Sequence, residues 1–217
     1  SNKKYRAIVT AGPTQEYIDP VRYISNRSSG KQGYEIAKSL FNNGFDTTLI
    51  SGPSKLTPDP NINLLKVNTA EEMYKKTVEN LPCDVAIFCA AVGDFKVKNL
   101  SENKIKKNKD LKLDFEKNID ILKLISKNNN KPKLVIGFSA ETNNLHSNSK
   151  QKLQNKGCDW IIANDISKND IGFDSDFNEV SIFYKDEKVE DEIISKTYKS
   201  VVADEIVKRV INQLNLI

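Results

Sequence analysis

Hydrophobic residues along this chain fall into short runs separated by polar, helix-patterned stretches, and the alternation repeats from one end to the other. Arg6–Thr10 is an apolar run that empties into Ala11-Gly12-Pro13-Thr14, the pattern of a strand entering a loop. Ser29–Phe41 has helical spacing: Tyr34, Ile36, Ala37, Leu40 and Phe41 share one face, Ser28 or Ser29 can cap the start, and Asn42-Asn43-Gly44 stops it. Asp46–Ile50 predicts a second strand, closed by Ser51-Gly52-Pro53, and Asn63–Val67 a third. Thr69-Ala-Glu-Glu72 has the form of a capping box and opens a helix running to about Leu81. Val85–Ala91 is apolar without interruption, as expected of a strand covered on both faces of a parallel sheet.

The middle of the chain reads differently. Phe95–Glu116 mixes alternating and Lys-rich pieces and predicts strand fragments flanking a mobile basic loop, followed by a helix from Asp120 to about Lys127. Leu134–Ser139 predicts another buried strand, Ser149–Lys156 a helix ended by Gly157, and Trp160–Ala163 a strand. Glu179–Tyr184 with Glu187–Ile193 suggests a hairpin. A last amphipathic helix starts at Ser195 or Thr197 and runs to about Leu214, with Val201, Val202, Ile206, Val210 and Ile211 inward. The whole predicts a single α/β domain over residues 1–217, a Rossmann-like, doubly wound and mostly parallel sheet flanked by helices, with an added strand and hairpin subregion. Ser1-Asn2-Lys3-Lys4 lies outside this pattern and reads as a linker or as the cut edge of a longer polypeptide.

Composition then removes whole classes of function. At 217 residues the chain is long enough for one sizeable core. A mean hydropathy of −0.51 and the lack of any apolar run near 18 residues argue against a membrane span. No secretory leader pattern opens the chain, and three scattered cysteines make no disulfide framework, so a cytoplasmic setting is expected. One histidine, His146, and those cysteines leave no zinc-type spacing. The net charge is +4, and since only Arg6, Arg22, Arg27 and Arg209 among the 33 basic residues are Arg, the excess is Lys. A nucleic-acid surface would combine clustered Arg with aromatic platforms, and neither is present.

Among candidate chemistries, Thr10–Thr14 stands where nucleotide folds place a phosphate loop but matches neither the dinucleotide nor the Walker fingerprint; alone it is a turn. Asn26-Arg27-Ser28-Ser29-Gly30-Lys31-Gln32-Gly33 is stronger. It places small, hydroxyl-bearing and glycine residues at a helix start, where N–H groups and the helix dipole favour an anion, with an ordinary cap and close packing of a glycine as the alternative. Lys104, Lys106 and Lys107 form a basic run, and Lys152 and Lys156 share a helix face; both read first as solvated surface. Cys83, Cys89 and Trp160 read as core, and His146 as exposed.

Taken together, Thr10–Thr14, Ile18–Asn26, Ser28–Gly33, Cys89–Asp94, Glu102–Lys107, Gly137–Thr142, Lys152–Gly157, Ala163–Asp165 and Phe173–Asn178 resemble the phosphopantothenoylcysteine synthetases, or phosphopantothenate–cysteine ligases, along essentially the whole chain. That resemblance implies a ligase of coenzyme A biosynthesis. The 4′-phosphopantothenate carboxylate would attack the α-phosphate of CTP to form an acyl-cytidylate, which L-cysteine then captures. It implies Asn26 on the acyl carbonyl, Arg22 orienting the intermediate, and Lys104 as a mobile lysine on the triphosphate. It also implies Ala90, Ala91, Asp94, Phe138, Lys152 and Lys156 around the nucleotide, with Ser28, Ser29 and Gly30 around a phosphate. Mg²⁺ would accompany the triphosphate with no protein ligand assigned, and a homodimer is implied, with the Glu179–Ile193 hairpin as one candidate surface. Fusion to a flavin-dependent decarboxylase is common in such proteins. Gly93, Ser139 and Ile119 depart from the usual Ala, Ala and Pro. An ATP-dependent version of the same ligase and a Rossmann-type NAD(P) oxidoreductase are the alternatives; the latter lacks GxGxxG and an acid after Leu49-Ile50.

Overall fold

A computed structural model describes residues 4–107, 110–167 and 174–217. In chain order the elements are β1 (Arg6–Ala11), β2 (Gln15–Tyr17), β3 (Tyr23–Ser25), α1 (Lys31–Asn42), β4 (Asp46–Ser51), β5 (Asn63–Lys66), α2 (Ala70–Glu79) and β6 (Val85–Phe88). They continue with β7 (Phe95–Val97), β8 (Phe115–Lys117), α3 (Ile121–Ser126), β9 (Leu134–Glu141), α4 (Leu145–Lys156), β10 (Trp160–Asp165), β11 (Phe177–Tyr184), β12 (Glu192–Tyr198) and α5 (Lys199–Leu216).

Eight strands form one sheet in the order β12-β11-β10-β9-β6-β1-β4-β5. The six from β5 to β10 are parallel, and β11 and β12 are added antiparallel. Period-two side-chain alternation sorts the core into two layers. Ala7, Val9, Leu49, Val85, Ile87 and Ile136 pack on one face against Ile36 and Leu40 of α1 and Val202, Ile206 and Val210 of α5. Ile8, Ile50, Ala86, Val135 and Ile161 pack on the other against Met73 of α2, Ile125 of α3 and Leu153 of α4. Both faces are therefore covered, which is why β6 reads as a continuous apolar run. Chain order reverses between β1 and β6, and such a switch point opens a crevice beyond the carboxyl ends of the strands. No helix among the described residues is long and apolar enough to cross a membrane.

Several boundaries differ from the sequence expectations, each for a local reason. Helix α1 starts at Lys31, with Gly30 as its N-cap in the left-handed region (φ 81°), so no serine side chain caps it. Instead the Ser28 and Ser29 hydroxyls accept the Gly30 and Lys31 N–H groups in short side-chain turns. Thr69 caps α2 as expected, but Glu72 reaches back to the Asn68 N–H, one residue beyond the standard box. Helix α4 begins at Leu145, four residues early, and includes His146. The apolar run after β6 leaves the sheet at Cys89 and lines a crevice. Two small antiparallel pairs, β2–β3 and β7–β8, lie beside each other outside the main sheet; the first was not visible as strands because three-residue strands carry almost no periodicity.

Candidate functional site

The carboxyl ends of β1, β6, β9 and β10 surround a cleft of about 510 Å³, and a second cavity of about 440 Å³ opens beside it toward β7 and α3. Ala90, Val92, Asp94, Phe138 and Lys152 line both, so the two are lobes divided by one wall. The first lobe gathers Asn26, Ser28, Ser29, Gly30 and Ala91 with that wall; the second adds Lys156. Sequence-predicted residues drawn from five separate segments thus converge on one crevice.

Helix α1 points its N-terminus into the first lobe because Gly33 lets it lie directly on β1. A Cβ at Gly33 would come within 2.6 Å of the Ala11 Cβ, so the glycine is required by strand packing. Serine oxygens hold the Gly30 and Lys31 N–H groups, while Gln32 and Gly33, in the first turn, have no intrahelical acceptor. Asn26 is exposed on the rim, and its Nδ2 donates to the Val92 carbonyl at 3.1 Å. That bond orients the amide, and its side chain makes no other hydrogen bond among the described residues.

The two helix lysines arrive with counter-charges. Lys152 Nζ donates to Ser139 Oγ at 2.9 Å and pairs with Glu141 at 2.8 Å, and Ser139 Oγ donates to Glu141 Oε1 at 2.6 Å. Burial opposes ionisation of Glu141, yet its bonds with Lys152, Ser139 and Asn148 outweigh that and lower its pKa. Lys156 pairs with Asp120, the N-cap of α3. Neither lysine is simply a solvated surface charge.

Arg22 and Lys104 line neither lobe. Arg22 Nη1 is 2.6 Å from the wholly buried Asp19 carboxylate and also donates to the Ile105 carbonyl. Lys104, next to Ile105, is exposed. Phe173, which opens the last motif, lies outside the described residues.

Residues without a sequence-assigned role also shape the site. Lys199, 7% exposed, lines the first lobe at the start of α5, and burial followed by the nearby Lys31 charge lowers its pKa. Gln32 bonds the Lys199 carbonyl and accepts from Asn178, tying α1, β11 and α5 together beneath the cleft. Asn118 donates to the Gly93 carbonyl and holds the turn that carries Asp94. Lys199 heads a helix that carries other charges, so nothing in the sequence pattern marked it, and nothing marked Gln32. The three cysteines are unpaired, and burial pushes each thiol to about 12, so none is a poised nucleophile. Among the described residues no cluster of three or more His, Cys, Asp or Glu is placed to hold a metal ion.

A family model described as the DNA/pantothenate metabolism flavoprotein C-terminal domain matches residues 2–214. The chain belongs to that family. Among curated relatives, proteins named coenzyme A biosynthesis bifunctional protein CoaBC are 42% identical over 179 residues in Haemophilus influenzae and 40% identical over 210 residues in Borreliella burgdorferi. Those alignments cover 82% and 95% of this chain but 44% and 52% of the relatives, so the chain spans about half their length. A crystal structure of a CoaBC C-terminal domain superposes with a TM-score of 0.81 at 34% identity, covering 97% of this chain and 96% of that one. A Streptococcus pneumoniae structure with the same family name shares the fold, with a TM-score of 0.81 at 23% identity. The α/β architecture read from the sequence is thus that of the C-terminal domain family.

Proposed function

We propose that this domain is the phosphopantothenate–cysteine ligase of coenzyme A biosynthesis and that it uses CTP through an acyl-cytidylate. The observation that carries the reading is the convergence of Asn26, the α1 start, Asp94, Phe138, Lys152 and Lys156 on one two-lobed crevice at the switch point. The C-terminal domain family and the CoaBC names of relatives support it.

The chemistry suits these residues. A carboxylate is nucleophilic at pH 7, so attack on the α-phosphorus needs positioning and charge neutralisation rather than a base. One carboxylate oxygen bonds to phosphorus, pyrophosphate leaves with the electron pair of the broken P–O bond, and the cysteine amine then displaces CMP from the acyl carbon. Phe138 and Asp94 would bound the nucleoside, and Lys152 and Lys156 would meet the phosphates. The Gln32 and Gly33 amides add the helix-end field. Asn26, held by Val92, would present its remaining N–H to the acyl carbonyl; one such donor is worth on the order of 3 kcal/mol in a transition state. Mg²⁺ supplies charge neutralisation on the triphosphate when bound there. No residue of this chain is assigned to it and no step depends on it.

The site is proposed to work in a homodimer, and the chain to be one half of a fusion with a decarboxylase, as the bifunctional names of its relatives suggest. Purified protein incubated with 4′-phosphopantothenate, L-cysteine and each nucleoside triphosphate tests the reading through pyrophosphate release. Release with CTP well above that with ATP is expected. Release with ATP alone would overturn the nucleotide assignment, and none with any triphosphate would overturn the ligase.

A further inference from the structure

Four Asp, Glu or Lys side chains are buried among the described residues: Glu16, Asp19, Asp84 and Lys199. Glu16 receives the Ala70 N–H at the start of α2, and Asp84 receives the Arg6 N–H of β1. Both brace the scaffold from within. Asp19, with no exposed surface, instead joins the β2–β3 turn to a segment more than eighty residues away.

Its two oxygens divide the task. Asp19 Oδ1 accepts the Val21 and Arg22 N–H groups, each at 2.8 Å, and so closes the turn. Oδ2 accepts the Ile105 N–H at 3.1 Å and the Arg22 guanidinium at 2.6 Å. Arg22 completes the link by donating to the Ile105 carbonyl at 3.3 Å, so both polar groups of Ile105 are held. At the other end of the segment the Ser101 N–H donates to the Ile18 carbonyl at 3.2 Å. Residues 101–105 are therefore a strap fixed to the turn at both ends, with Lys104 one residue from the anchored end.

We propose that Asp19 is a positioning residue for Lys104: its carboxylate, with Arg22, anchors the strap from which Lys104 reaches the substrates. The proposal rests on the ligase reading and deepens it, because neither Arg22 nor Lys104 lines the crevice itself. Arg22 acts as the second half of the anchor, committed on one side to a carboxylate and on the other to the strap backbone. Burial opposes ionisation of Asp19, but the Ile105, Val21 and Arg22 N–H bonds and the Arg22 charge hold its pKa at about 2, so the anchor is charged at any working pH.

Asp19→Asn separates the two tasks. An amide oxygen at Oδ1 can still close the turn, whereas an NH₂ at the Oδ2 position faces two donors and cannot accept from either. The test uses a lysine-specific protease, which reports Lys104, Lys106 and Lys107, together with ligase kinetics on both backgrounds. In Asp19→Asn cleavage within 104–107 is expected to accelerate about tenfold or more while the melting temperature of the sheet stays cooperative. The variant is expected to lose about tenfold in kcat/KM, and less than about twofold when Lys104→Ala is already present. Ser101→Pro, which removes the strap's other N–H bond, should open the same sites and guards against misfolding of the first variant. Unchanged cleavage in both variants, or an equal loss of activity with and without Lys104, overturns the anchor. A wild-type chain with no ligase activity would overturn the ligase reading, while the cleavage result would still decide the anchor.

Discussion

A hydroxyl at position 139 changes what Lys152 can do. The family's usual Ala would leave Glu141 as the single partner, whereas Ser139 Oγ both accepts from Lys152 and donates to Glu141, fixing the ammonium on the wall shared by the two lobes. Ser139→Ala therefore removes two bonds of a charged network and leaves the Lys152–Glu141 pair, a change worth about 1–2 kcal/mol in all. In ligase kinetics it is expected to raise the nucleotide KM by about threefold with kcat little changed, and Lys152→Ala to raise it by about tenfold or more. An unchanged KM in Lys152→Ala removes the lysine from the nucleotide site. The two other departures are milder. A Cβ at Gly93 would make only ordinary contacts, the nearest at 3.5 Å. Ile119 contributes an N–H to the Asn118 side chain that a proline would lack. Sequence could flag these positions as unusual but could not say that Ser139 touches Lys152, because a strand residue and a helix residue thirteen apart meet only through the fold.

Among the elements, α1 carries the site and shows where pattern reading succeeds. Its apolar face and its stop were legible, since Ile36, Ala37 and Leu40 are buried as their spacing required. Its start was not, because Ser28 and Ser29 bond their own neighbours and Gly30 takes the cap in a conformation that favours glycine. Gly33→Ala, which looks conservative in a helix, should destabilise by about 1–3 kcal/mol through the Ala11 contact, read as a lower denaturant midpoint. The β2–β3 element predicts an acid response. Asp19 titrates near 2 in the fold against an ordinary 3.8, so its contribution is full above about pH 4 and fades as pH falls through 2. Wild type should therefore lose stability over pH 4 to 2 more steeply than Asp19→Asn, in thermal melts at matched ionic strength. Parallel slopes would contradict the assignment.

For the molecule as a whole, a mostly parallel sheet with helices on both faces followed from the alternation of runs, since continuous apolar strands have no other way to be covered, whereas the strand order did not. The two small sheets did not either, and they and their connections expose large apolar side chains: Val21, Tyr23, Phe95 and Phe115, with Leu100 and Leu111, of which Phe95 lines the second lobe of the crevice. The Glu179–Ile193 hairpin, one candidate surface from the sequence, also exposes Val189 and Ile193, and Tyr198 is exposed at the end of β12. If the proposed homodimer closes over the small sheets, Phe115→Ser should yield monomer in sedimentation at micromolar concentration while Ile193→Ser stays dimeric; the reverse outcome assigns the hairpin. The central claim is that a substrate carboxylate attacks the nucleotide's α-phosphorus in the crevice at the switch point. Phosphopantothenate labelled with ¹⁸O in both carboxylate oxygens tests it in one turnover with CTP and cysteine. One labelled oxygen should be found in CMP and one in the new amide; label in pyrophosphate or inorganic phosphate, or none in CMP, would contradict it.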